Sequence, residues 1–295
     1  MAISLFKKKA DKFDYDISRN CKVCDNIFKG RYCNVCGEKV TEQYERSMLN
    51  FLHSLLNAFT FLDGKFVKSI KLLIARPGEL SSNISNGIRV PFMNMVSLFF
   101  VANFFYFFFP VFDSYNSSLH SQLNLQGAHS VRANEIVNEH LSKNKISMEY
   151  FEKEYNGQST NLSKTLVVVL VIIFAALSGV INYSRERFLF DHILFSLEFY
   201  SFQILINLVI LANAILYLIK LVALWGWDWL VLLSDGVFTI VAMALSLSWL
   251  IASEMNFFKQ QWYWAIPKGV LLMALMIESI KIYRMLLFYV TMKTL

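Results

Sequence analysis

Four cysteines carry the clearest chemistry in the sequence. Cys21-Lys-Val-Cys24 and Cys33-Asn-Val-Cys36 are two C-x2-C pairs separated by eight residues, and they account for every cysteine in the chain. Two residues between cysteines make a turn tight enough to aim both thiolates at one ion, and four thiolates fill a tetrahedral zinc shell. A shell closed by sulfur leaves no position for substrate or reactive water, so the site is expected to be structural. Gly37 follows the second pair, where such a turn needs relief from a side chain. The same residues could instead form two local disulfides, four free thiols or an iron–sulfur centre. A ribbon this short cannot fold on buried apolar area, so metal would supply most of its folding free energy. Phe28 and Tyr32 are expected to pack beside the ion.

A second set of polar residues lies in apolar surroundings. On a helical wheel His192, Ser196, Gln203 and Asn207 share a stripe about 60° wide, and Glu198 points away from it. Glu278 and Lys281 are three residues apart and can pair on one helix face. Such groups can bind helices to one another, or line a substrate or proton path with Glu198 or Glu278 as an ionisable station. No G-x-S-x-G, H-E-x-x-H or phosphate-cradling glycine loop is present, so no catalytic residues are assigned. His192 beside Asp191 is the one pair that could serve a lipid-active enzyme. In segment 113–163, His120, His129, His140, Glu135 and Glu139 match no ligand spacing and read as solvated residues.

The elements that carry these residues follow from composition. Of 295 residues, 56% are hydrophobic and 17% charged, with 27 Phe. A soluble domain has roughly 45–50% apolar and about 25% charged residues, so an ordinary cytosolic enzyme, a disordered chain and a disulfide-rich secreted domain are excluded. The apolar residues gather in runs near 91–112, 165–182, 192–219, 229–252 and 267–291, each about the length that crosses a bilayer. The first holds nine Phe in 22 residues. The last carries Glu278, Lys281 and Arg284 and either spans with these facing inward or lies partly in the interface. The sequence therefore predicts an all-α polytopic membrane protein with about five transmembrane helices, preceded by a small cytosolic zinc ribbon and amphipathic helices. Three regions result: residues 1–42 with the ribbon, 43–90 with the amphipathic helices, and the bundle 91–295 with its extracytoplasmic loop 113–163.

Charge sets the orientation. Residues 1–90 hold 15 Lys/Arg against 9 Asp/Glu, and the remainder 13 against 13. Arg185, Arg187, Lys259 and Lys268 sit in the loops after the second and fourth runs, whereas loop 113–163 has four basic and six acidic residues. The positive-inside rule then places the N-terminus in the cytosol and the 113–163 loop outside. Met1–Asp16 lacks an apolar signal region, so insertion in the inner (plasma) membrane without cleavage is expected. Trp225, Trp227 and Trp229 suit an interface. Residues 44–62 show a helical apolar period, and 65–76 place Lys65, Lys68, Lys71 and Arg76 around Phe66, Ile70 and Leu73 before Pro77-Gly78. These basic amphipathic segments either lie in the headgroup plane or pack on the cytosolic side of the bundle.

The ribbon ending Tyr32-Cys-Asn-Val-Cys36-Gly, the Ala75-Arg76-Pro77-Gly78 stop, the Gly87-Ile-Arg-Val-Pro-Phe92 lead-in and Arg185-Glu-Arg-Phe-Leu-Phe-Asp191-His192 resemble one family. It is an uncharacterised, mainly bacterial family of multi-pass membrane proteins with an N-terminal four-cysteine zinc ribbon, domain-of-unknown-function family 3667. The resemblance covers most of the chain in order, with fewer basic residues around Arg89 than the family pattern. It implies architecture and no activity. A closed metal site joined to a basic linker suggests a membrane scaffold or regulator whose ribbon binds a cytosolic protein partner. The alternative is a transporter or channel using the polar third and charged fifth spans. Other expected partners are the lipid bilayer and a second copy; nucleic acid is not expected.

Overall fold

The computed structural model describes residues 14–38, 40, 64–108, 115–124, 128–184, 187–223 and 234–295. The amphipathic segment expected at 44–62, Arg185 and the tryptophans at 225, 227 and 229 lie outside these residues. The chain divides into two compact units, Met1–Gly64 and Lys65–Leu295.

In the first unit, β1 (Ser18–Asn20) pairs antiparallel with β2 (Ile27–Lys29), Arg19 opposite Phe28, and the first cysteine pair forms the turn between them. Phe28, Cys21 and Cys33 are its buried core, with Val40 packed against them. Tyr32 departs from expectation. Its ring is 59% exposed, and Phe28 alone of the two packs beside the sulfurs.

The second unit is helical: α1 (Gly64–Ala75), α2 (Glu79–Ser85), α3 (Met95–Phe108), α4 (Leu119–Asn124), α5 (Ala128–Asn144), α6 (Met148–Ile181), α7 (Leu189–Phe202), a π-helical segment (Gln203–Leu211), α8 (Ala212–Ala223), α9 (Ser234–Asn256) and α10 (Trp262–Thr294). Three helices among the described residues are long and apolar enough to cross a membrane: Met148–Ile181, Leu189–Val222 and Gly236–Asn256. Against the five runs of the sequence, α3 is a shorter apolar helix of 14 residues, and α10, interrupted by charge, is not among the three.

The described residues of segment 113–163 are largely helical. Ser147 accepts a hydrogen bond from the Tyr150 N–H and starts α6 well before the apolar run at 165. At 34 residues α6 is about 51 Å long, longer than a hydrocarbon core of roughly 30 Å, so its polar first half extends beyond the apolar part. Phe151 and Tyr155 from that half pack with Leu119, Ala133, Val137 and Phe288 of α10 in a separate small core. The end of α10 thus lies on the same side as α4 and α5.

The second compact unit starts at Lys65, and α1 and α2 belong to its core. Leu73 and Leu80 are fully buried. The Trp249 indole N–H donates to the Leu73 carbonyl, and Asn256 donates to that of Pro77. Helices 64–85 therefore pack on the bundle. Their apolar residues have partners in α7 and α9 that a headgroup-plane helix would lack.

Candidate metal centre and buried polar groups

The two cysteine pairs fold alike. In the first, the Cys21 N–H donates to the Asn26 carbonyl and the Asp25 N–H to that of Cys21; in the second, Cys33 and Glu38, then Gly37 and Cys33, repeat the pattern. The residue after each pair closes the turn at positive φ, Asp25 at 55° and Gly37 at 77°. Aspartate tolerates this region better than most side chains, which is why the first pair manages without glycine. Asp25 as the counterpart of Gly37 is legible only once the two turns are superposed.

The turns bring the four sulfurs within 4.8 Å of one another. Cys21 and Cys36 are 3.4 Å apart and Cys24 and Cys33 3.6 Å. Sulfurs about 2.3 Å from a tetrahedral ion would be roughly 3.8 Å apart, so the group fits a metal. The thiols are free, so the two local disulfides are not formed. Backbone N–H groups of Cys36 and Val35 aimed at its sulfur draw the Cys33 thiol down to about 6, against the opposing effect of burial. The Glu38 N–H acts the same way on Cys36, but the Cys21 sulfur, burial and the other two thiols outweigh it and push that thiol up to about 12. Backbone N–H groups also draw the Cys21 thiol down, whereas the Cys24 thiol, like that of Cys36, is pushed up, so two of the four sulfurs resist ionising beside the other two, an imbalance that a divalent ion removes. Asn26 adds an N–H 3.9 Å from the Cys33 sulfur while donating to Asn34.

The polar stripe divides in the fold. Gln203 and Asn207 lie in the π-helical segment and meet Ser246 of α9 at 2.8 and 3.0 Å. His192 and Ser196 are buried but stand outside that group. The His192 ring stacks on Phe258 and lies against Gly179. Asp191 is occupied elsewhere, accepting from the Ser85 hydroxyl and the Phe188 N–H, and does not orient His192 as a catalytic pair would.

Glu198 is completely buried, and its carboxyl group accepts from the backbone N–H groups of Gly78 at 3.0 Å and Ser81 at 2.8 Å. It holds the Arg76-Pro77-Gly78 turn and the first turn of α2 onto α7. Gly78, at φ 79°, touches α9 so closely that a Cβ would stand 3.0 Å from the Ser253 Cα and the Phe257 Cβ. The Glu278–Lys281 pair forms as its spacing predicts, at 2.7 Å, but both side chains are about half exposed, at 54% and 53%. It faces away from the bundle and not inward.

A further buried carboxylate escapes sequence reasoning. Glu254, fully buried in α9, accepts from Asn182, whose side-chain oxygen in turn accepts from Lys268. Its only signal in the sequence is an acid two residues beyond the expected end of an apolar run. Among the described residues, the four cysteines are the one group of three or more His, Cys, Asp or Glu placed to hold a metal.

A family model described as a protein of unknown function (DUF3667) matches residues 63–107, the stretch that contains α1, α2, the Arg-Pro-Gly turn and nearly all of α3. No curated protein and no solved structure matches the chain.

Proposed function

We propose that the chain is a multi-pass inner-membrane protein of that family and acts as a scaffold or regulator. Its cytosolic ribbon holds a structural zinc ion and binds a protein partner, which the bundle keeps at the membrane. The observation that carries this reading is the surface of the ribbon. Val23 and Val35 occupy equivalent positions at the tips of the two cysteine turns and are 66% and 68% exposed, with Ile27 and Tyr32 outward as well. A module that buries Cys21, Cys33 and Phe28 and displays these apolar side chains is built to be covered by another protein.

The five-span arrangement is supported by two contacts that bracket α10 against α6. Lys268 donates to Asn182 at one end, and the Tyr283 hydroxyl to the Ser163 carbonyl at the other. Between these contacts α6 advances about 28 Å, close to the thickness of a hydrocarbon core. Tyr183, Phe188, Trp262, Tyr263 and Trp264 are exposed at the Lys268 end, where an aromatic belt would meet the cytosolic headgroups. Replacing Cys33 and Cys36 by Ser should abolish partner recovery from native membranes while the spans still insert. Unchanged recovery would refute the scaffold role.

The second reading, a transporter, is favoured by the polar group on the π-helical segment, since such segments often mark functional sites. It requires that Glu198→Gln or Glu278→Gln abolish solute flux in proteoliposomes.

A further inference from the structure

We infer that the outward face of α10 is an interface between two copies of this chain, joined by reciprocal Glu278–Lys281 ion pairs. The face runs along Val270, Ala274, Ile277, Glu278, Lys281 and Met285, all exposed. If Tyr283 marks the outer edge of the apolar layer, as its bond to Ser163 at the start of the α6 apolar run suggests, Glu278 lies five residues or about 7 Å inside it. A carboxylate facing lipid at that depth is costly and calls for a partner beyond the one lysine it already has.

The charge pattern names the partner. Glu278 and Lys281 present opposite charges side by side, 2.7 Å apart, on one exposed surface. A two-fold axis between two such helices sets each Glu278 against the partner's Lys281, and a self-complementary patch of this kind is what an isologous dimer needs. Ala274 lets the two helices approach closely on the cytosolic side of the charges. This interface is independent of the ribbon and its partner.

The test uses two differently tagged copies of the full chain, coexpressed and reconstituted in nanodiscs, with one tag used to recover the other. Wild-type copies should co-purify. E278K in both copies, or K281E in both, puts like charges face to face and should lower recovery roughly tenfold. One E278K copy with one K281E copy should restore it. Reversing the exposed Arg132–Glu135 pair of α5 should leave recovery unchanged. Should the charge reversals fold poorly, E278Q/K281Q removes the pair without repulsion and should still reduce recovery. Wild-type copies that stay single, showing that lipid covers the face, would overturn the inference. Full recovery with either reversal or with the neutral pair, or a mixed pair no better than each reversal alone, would do the same.

Discussion

Replacing Glu198 by Ala should release the Arg76-Pro77-Gly78 turn from the bundle. In the native fold the buried carboxyl group satisfies two backbone N–H groups, at 3.0 and 2.8 Å, that α2 cannot satisfy internally because they belong to its first turn. Leaving a buried donor unpaired costs about 1–3 kcal/mol, so two such donors cost about 2–6 kcal/mol. At 1.36 kcal/mol per decade, the local opening equilibrium should rise by roughly 30-fold to 3 × 10⁴-fold, up to the ceiling set by global unfolding. Glu198→Gln keeps one acceptor oxygen and should fall between wild type and Ala. Hydrogen–deuterium exchange of the 77–85 segment in the reconstituted chain reads this directly, with the 128–144 helix as internal reference. Exchange in the 77–85 segment unchanged by Glu198→Ala would refute the reasoning, because those amides would then owe their protection to something other than the carboxyl group.

Gly78→Ala should destabilise the same turn by a different route. A side chain at φ 79° costs about 1–2 kcal/mol before the contact with the Ser253 backbone is counted, so the melting temperature should drop even with Glu198 intact. Metal retention should depend on pH in one direction. Bound thiols are deprotonated, so their folded pKa is depressed; stability is present at high pH and is lost as pH falls and protons compete for sulfur. The zinc-to-protein ratio should therefore decline on acidification, with Cys33, the thiol drawn down to about 6, the last to protonate in the metal-free ribbon. Gln203→Leu should cost only about 0.6–2 kcal/mol in thermal unfolding if its group with Asn207 and Ser246 joins helices, and leave any flux intact. Lost flux with unchanged stability would favour the transporter.

The metal group was legible because its information is local. Four cysteines at fixed spacing dictate two turns, and the turns dictate where the sulfurs meet. Three of the five apolar runs, those that fall in the helices long enough to span, were legible for a similar reason, as was the Glu278–Lys281 pair at a spacing of three. The start of α6 was not, since the apolar run at 165 marks where the helix meets apolar surroundings, whereas the helix itself begins at the Ser147 cap. The role of Glu198 was hidden because its partners are 117 and 120 residues away and use backbone atoms, which leave no trace in side-chain pattern. The π-helical segment also defeats a regular wheel. It changes the period after Phe202, so the stripe computed from His192 to Asn207 does not stay on one face. Tyr32 was misplaced because nearness in sequence to Cys33 does not fix which way a ring points.

The most direct test of the account is thiol accessibility from each side of the membrane. An impermeant maleimide should leave Cys21, Cys24, Cys33 and Cys36 unlabelled on intact cells and label them in inside-out vesicles after chelation of the metal. A cysteine placed at the exposed Ser142 of α5 should label on intact cells without chelator. Ribbon cysteines labelled from outside, or a Ser142→Cys chain labelled only in inside-out vesicles, would contradict a membrane bundle with its metal ribbon in the cytosol.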